Sequence, residues 1–161
     1  MAKTDKEEFL SLLRSYQGII HKVNLIYFSV SEDRKDNFQE VVYNMWKAYP
    51  ALKNKDKIAS WIYAISINTS ISKIRKDSRY TFSGDMESIN ISSLDDDVEV
   101  TIDFQRLLDA IRQLKEADKS IMLLYLEDYS YNEIGDIIGI SSSNVGARIN
   151  RAKKQLEKLL K

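Results

Sequence analysis

The stretch from Ser130 to Leu160, SYNEIGDIIGISSSNVGARINRAKKQLEKLL, constrains this chain more than any other, because it divides into two short helices hinged at Gly139, the second of them basic. Ser130 and Glu133 stand in the S-x-x-E relation of a capping box, where a hydroxyl and a carboxylate satisfy free backbone donors at a helix start. Tyr131, Ile134, Ile137 and Ile138 give the first helix a one-sided apolar stripe. Gly139 supplies the left-handed backbone of a sharp helix exit, Ile140 plugs the corner, and Ser141 caps the next helix. In that second helix Val145, Ile149, Ala152, Leu156 and Leu159 recur at three- and four-residue steps and share a buried face. The opposite face carries Asn144, Arg148, Arg151, Lys154 and Lys158, residue types that meet phosphates and base edges in a major groove. The pattern is that of a helix-turn-helix DNA reader; an amphipathic hairpin with a solvated basic face satisfies the same spacing.

With one proline and five glycines in 161 residues, and 43% hydrophobic content, long helices around a core are the natural expectation. No cysteine is present, which excludes a disulfide framework and thiolate metal sites and suits a reducing compartment. The segment MAKTDKEEFLSLL has charges where a secretory signal needs an apolar core. The most apolar window, Ile58 to Ile74, is interrupted by Ser60, Ser66, Asn68, Thr69, Ser70 and Ser72, so direct membrane insertion is not expected and a cytoplasmic protein is. No cofactor or metal is expected either. The sole histidine, His21, lies among apolar residues, and the consecutive Asp95, Asp96 and Asp97 cannot converge on one ion as spaced ligands do. Without a Gly-rich phosphate loop, nucleophile elbow or zinc spacing, the chain does not read as an enzyme.

The formal net charge is zero, yet the charges are sorted. Residues 53–79 hold seven Lys or Arg against Asp56 and Asp77, and residues 148–161 hold six against Glu157. Between them, residues 81–105 carry Asp85, Glu87, Asp95, Asp96, Asp97, Glu99 and Asp103 and no cation. This Ser- and Asp-rich strip lacks a helical period and reads as a linker. Upstream, Phe9, Leu12, Leu13, Tyr16, Ile19, Ile20 and Val23 predict one amphipathic helix, and Phe38, Val41, Val42, Met45, Trp46 and Tyr49 a second. A third is expected from about Lys57 to Lys76, with Ile58, Trp61, Ile62, Ile65 and Thr69 on one face. Downstream, Phe104, Leu107, Leu108, Ile111 and Leu114 lead through Ile121, Leu124 and Tyr125 into the helix-turn-helix. The expected fold is therefore all-α, with two small helical domains at 1–80 and 104–161 joined by a flexible acidic linker at 81–103.

Two separate segments carry a resemblance to a known family. D-x-x-Q-E-V-V-x-x-x-W-K-A-Y-P at Asp36 to Pro50, followed by W-I-Y-A-I-S-I-N-T at Trp61 to Thr69, is similar to region 2 of the extracytoplasmic-function (ECF) class of bacterial RNA polymerase sigma factors. The run from Leu114 through S-Y-N-E-I-G…S-x-x-x-V…R-I-N-R-A-K-K-Q-L resembles region 4 of the same class. Both occur in the family's order and together span nearly the whole chain. The resemblance implies a sigma factor that binds core RNA polymerase through its β and β′ subunits, directs it to promoters and helps open the DNA. Region 2 would read and melt the −10 element, region 4 would read the −35 element as duplex, and an anti-sigma factor is a further partner the family admits.

The resemblance places the polymerase-binding residues at Asp36, Gln39 and Glu40, at the start of the second helix, with Asn44 and Lys47 extending the face; carboxylates there also favour a helix N-terminus. DNA melting requires aromatic platforms beside cations that follow the backbone. Trp61 and Tyr63 with Lys53, Lys55, Lys57, Lys73, Arg75 and Lys76 supply these, and Asn54 and Asn68 are available to read base edges. Trp61 equally suits a core position. In the −35 reader, Gly146 and Ala147 stand where members often carry larger polar or basic residues, so duplex reading falls to Ser142, Ser143, Asn144, Arg148, Asn150, Arg151 and Lys154 and partly to DNA shape. In the loop before the third helix, where many members carry an aromatic, a basic residue and a glycine, this chain has Leu52, Lys53 and Asn54. The alternatives are a two-domain regulator whose N-terminal bundle senses a ligand or partner, and a helical adaptor that binds only protein.

Overall fold

The computed structural model describes residues 3–78 and 102–161, and all regular structure within them is helical. Seven α-helices follow in order: α1 (Lys3–Tyr27), α2 (Ser31–Ala48), α3 (Ile58–Ser78), α4 (Ile102–Arg112), α5 (Glu116–Leu126), α6 (Tyr131–Ile138) and α7 (Ser142–Leu160). The expected linker lies outside the described residues, except that Ile102 and Asp103 already belong to α4. The described residues divide into two compact units, 3–24 with 32–78 and 25–31 with 102–161. No sequence boundary signals that the segment 25–31 belongs with the second unit.

In the first unit the apolar stripes of α1, α2 and α3 meet around Phe9, Ile20, Val41, Met45 and Ile62, with Leu12, Leu13, Phe38, Trp46, Tyr49 and Trp61 packed at the margin. Each such side chain taken from water stabilises by roughly 1.5–3 kcal/mol, so this cluster fixes the three helices relative to one another. Phe9 sets its ring edge-to-face against Trp46 at 5.1 Å and Tyr49 at 5.5 Å. Glu32 and Asp33 in the first turn of α2 and Lys47 in its last complement the helix dipole. Pro50 lacks the N–H that a further turn needs, so α2 gives way to short 3-10 turns at Tyr49–Ala51 and Lys55–Lys57 before α3. Tyr49 thus lies beyond α2 rather than within it, and Tyr16, expected on the buried stripe of α1, is 38% exposed.

In the second unit α7 packs across α4, α5 and α6 through Val145, Ile149, Ala152 and Leu156. The helix-turn-helix punctuation is as the sequence expects. The Ser130 N–H donates to Glu133 Oε1 at 3.0 Å and the Glu133 N–H returns to Ser130 Oγ at 3.1 Å. Gly139 adopts φ +91°, the left-handed exit, and the Asn144 N–H donates to Ser141 Oγ at 3.2 Å. The corner is tighter than the pattern implies, because a Cβ on Gly135 would lie 2.6 Å from the Ile140 carbonyl oxygen. Leu159 and Tyr131, on the apolar stripes of α7 and α6, are 37% and 40% exposed, since each stripe runs past the core at a helix end.

Candidate nucleic-acid interface

The outward face of α2 is built by helical spacing. Asp36, Gln39, Glu40, Tyr43 and Lys47 recur at three- and four-residue steps while Val41 and Met45 point into the core, so all five are exposed together. The Lys47 ammonium rests over the Tyr43 ring, 4.4 Å from its centroid. Asn44 turns towards α3, where its Nδ2 donates to Thr69 Oγ1 at 3.0 Å. Beside that bond lies a polar groove of about 540 Å³, lined by Glu40, Asn44, Asn68, Thr69, Ser72, Lys73, Lys76 and Asp77. Residues expected to meet polymerase and residues expected to meet DNA therefore share one surface depression. An apolar groove of about 390 Å³ opens along α1 and α2, with Phe9, Leu10, Leu13, Phe38, Val42, Tyr43 and Trp46 as its walls and Lys6 and Gln39 also lining it.

The segment before α3 presents Lys53, Asn54, Lys55 and Lys57 to solvent. Asn54 uses its side-chain oxygen to accept from the Asp56 N–H at 3.0 Å, capping the 3-10 turn, and Lys55 pairs with Glu8 at 3.4 Å across an exposed surface. Pairs of that kind contribute about 0–1 kcal/mol and yield readily to a ligand phosphate. Asn68, Arg75 and Lys76 are exposed and Lys73 half-buried along the outer side of α3. Tyr63 is a correction: at 2% exposure it is core, because on α3 it lies two residues from Trp61 and so faces inward from the opposite side. Trp61 is half-buried, packed against the first-unit cluster with Tyr49 at 6.5 Å, which makes it a wall of the core rather than a free platform.

On α7, Ser142, Ser143, Asn144, Asn150, Arg151 and Lys154 are exposed, opposite the buried Val145, Ile149 and Ala152. Arg148 departs from this row. Its guanidinium Nη1 lies 3.6 Å from Asp118 Oδ1 on α5, and its Nε donates to Asn144 Oδ1 at 3.3 Å. Behind the recognition helix the Lys153 ammonium sits 4.5 Å above the Tyr125 ring, and hydrogen bonding to the Tyr125 hydroxyl holds its pKa above the usual lysine value.

Family comparison settles the assignment. The sigma-70 region 2 family matches residues 12–80 and the sigma-70 region 4 family matches residues 104–156. The RNA polymerase sigma factor YlaC of Bacillus subtilis is 26% identical over 133 residues, covering 79% of this chain and 77% of that protein. This chain belongs to the ECF sigma factors. SigV of B. subtilis, 25% identical over 153 residues, spans 94% of this sigma factor and 90% of its own length. The ECF sigma factor SigM of Mycobacterium tuberculosis, 21% identical over 156 residues, spans 97% and 79%. Two solved structures share the fold: RpoE of Bartonella quintana, in complex with the anti-sigma factor NepR (TM-score 0.69, 20% identity, 99% of this chain and 98% of that one), and CnrH with the cytosolic domain of CnrY (TM-score 0.68, 17% identity, 96% and 88%).

A sigma factor directs core RNA polymerase to promoters, and this one carries both modules that such direction requires. Among the described residues no group of His, Asp or Glu is placed to hold a metal ion, and no helix is long and apolar enough to cross a membrane. Sequence reasoning missed Tyr43 on the α2 face, although its four-residue step from Gln39 signals it, and Thr69, Ser72 and Asp77 in the groove, which emerge only when α2 and α3 are packed.

Proposed function

We propose that the two modules of this sigma factor divide the promoter: residues 1–80 hold polymerase and the −10 element, residues 104–161 read the −35 duplex, and residues 81–103 tether them. The observation that carries this reading is the capped helix-turn-helix whose α7 buries Val145, Ile149, Ala152 and Leu156 and leaves Asn150, Arg151 and Lys154 exposed on one side. Asp36, Gln39, Glu40, Tyr43 and Lys47 form the surface for the polymerase β′ coiled coil. Lys53, Asn54, Lys55, Lys57, Asn68, Lys73, Arg75 and Lys76 track the opened strand, which needs cations along its backbone. The protein acts by binding rather than turnover, in the bacterial cytoplasm where polymerase works. The RpoE structure holds the anti-sigma factor NepR, so a partner of that kind is part of the proposal.

In vitro transcription with core polymerase and a genomic-fragment template library tests it. Start sites that appear only when the protein is added establish promoter selection. Duplex binding by the free protein without stable association with core polymerase would instead favour a stand-alone regulator.

A further inference from the structure

The recognition helix carries two arginines three residues apart, and the structure uses them differently. Arg151 is exposed beside Asn150 and Lys154. The Arg148 side chain is 29% exposed and directed at Asp118, whose own side chain is 11% exposed. Asp118 sits in the first turn of α5 beneath α7, and its Oδ1 has no hydrogen-bond partner, so at 3.6 Å the Arg148 charge is what compensates it. A carboxylate buried to that degree is costly unless paired, and its cation is not free to leave for a phosphate. The second donor contact of Arg148, to Asn144 Oδ1 on its own helix, fixes the guanidinium between α5 and α7.

We infer that Arg148 is a positioning residue, an ionic strut from α7 to Asp118 that sets the angle of the recognition helix, while Arg151 and Lys154 are the cations that meet DNA. The inference rests on the proposal that α7 enters duplex DNA, and it removes Arg148 from the set the sequence assigned to phosphates. The strut lies on the inner edge of the helix, where it governs how deeply the open row Ser142, Ser143, Asn150 and Arg151 is presented.

The test measures binding of the full-length protein to a labelled mixed-sequence DNA duplex over a range of salt concentrations. A variant that gives up one phosphate neutralised by the parent has a slope of log affinity against log salt shallower by about one. Arg151→Ala is expected to show that change. Arg148→Met is expected to weaken binding with the slope of the parent, and Asp118→Asn, under the helix and away from any duplex, to weaken it in the same way. Removing both charges together, Arg148→Met with Asp118→Leu, is expected to bind no worse than either single variant. It also leaves no unpaired buried charge, so it reports even where Arg148→Met alone fails to fold. A slope shallower by about one in Arg148→Met or in the paired variant overturns the strut and returns Arg148 to the DNA. Parent-like affinity in Asp118→Asn overturns it as well. An unchanged slope in Arg151→Ala sinks the reading that α7 meets DNA, a separate failure that leaves the coupling of Arg148 to Asp118 to be judged from non-additive unfolding free energies of the same variants.

Discussion

The Asn37 side-chain amide lies 2.7 Å from Asn24 Oδ1 and 2.9 Å from Ser70 Oγ, so a single donor group ties α2 to both α1 and α3. Asn24 in turn donates to the Arg34 carbonyl at 3.1 Å, and the Ser70 hydroxyl to the Ser66 carbonyl at 2.7 Å. The Asn24, Asn37 and Ser70 side chains are all buried, as are Ser66 and Thr69, in a bundle whose core is mostly apolar. A buried polar network of this kind specifies one arrangement, because any slip strands donors and acceptors in a low dielectric. Asn37→Ala is therefore expected to destabilise the first unit by about 1–3 kcal/mol, the cost of leaving Asn24 Oδ1 and Ser70 Oγ without their donor. Urea unfolding measures it, and an unshifted midpoint would show the network to be energetically idle.

Two glycines of the helix-turn-helix are expected to respond oppositely to alanine. At Gly135 the new Cβ would meet the Ile140 carbonyl at 2.6 Å, and that oxygen belongs to the turn itself, so the corner must open. Gly135→Ala should cost roughly 1–3 kcal/mol, as overpacking does. At Gly146 the Cβ would meet Tyr131 Cε2 at 3.3 Å, a side chain 40% exposed that has room to swing aside. Gly146→Ala should then gain up to about 1 kcal/mol from helix propensity. Thermal melts of the two variants decide it; shifts of the same sign would contradict the contrast.

The helix-turn-helix was legible because its determinants are local: Ser130, Glu133, Gly139 and Ser141 act on backbone groups within a few residues, and their hydrogen bonds formed as the spacing dictates. The shared exposure of Asp36, Gln39, Glu40 and Lys47 on α2 follows from helical spacing, whereas Asn44 turns to α3 and Tyr43 was not singled out. What the sequence concealed depends on which helices meet. Arg148 reads as a free cation until α5 brings Asp118 beneath it. Tyr63 reads as a platform beside Trp61 until α3 is seen to be buried on more than one side, which blurs its helical period. Nothing in the pattern marks Asn37, because a polar residue at a core position is visible only once the packing is known. The acidic run Asp95, Asp96 and Asp97 lies outside the described residues.

Charge reversal at Glu40 separates polymerase binding from folding. Glu40 is exposed on α2 and lines the groove that also holds Lys73 and Lys76, so a lysine there reverses the local field without entering the core. Glu40→Lys should lose affinity for core polymerase at least tenfold, about 1.4 kcal/mol or more, while its unfolding midpoint stays within about 0.5 kcal/mol of the parent, as exposed substitutions do. Co-purification with core at parental yield would move the polymerase surface away from this face.

Tyr27 makes the second unit sensitive to alkali. Its hydroxyl donates to the Glu116 carbonyl at 2.6 Å, and burial, joined by the charges of Glu116 and Asp118, outweighs the opposing hydrogen bond with Ser120 and pushes its pKa from 10.0 up to about 12. The folded protein thus holds the phenol proton more tightly than the unfolded chain does. The resulting stability is fully present below pH 10 and is lost as pH rises through about 12, a change on the order of 2–3 kcal/mol. Lys119, 5.7 Å from the Tyr27 ring centroid, has its pKa lowered by burial and sheds its charge on the way, so raw pH curves mix the two groups. The difference between parent and Tyr27→Phe isolates the phenol. At neutral pH the variant should be about 1 kcal/mol less stable for want of the hydrogen bond to Glu116, and between pH 10 and 12 the gap should close and then reverse. Denaturant titrations at stepped pH, with tyrosinate absorbance followed in parallel, give the result; a gap that stays constant across that window would mean Tyr27 titrates as it does in the unfolded chain.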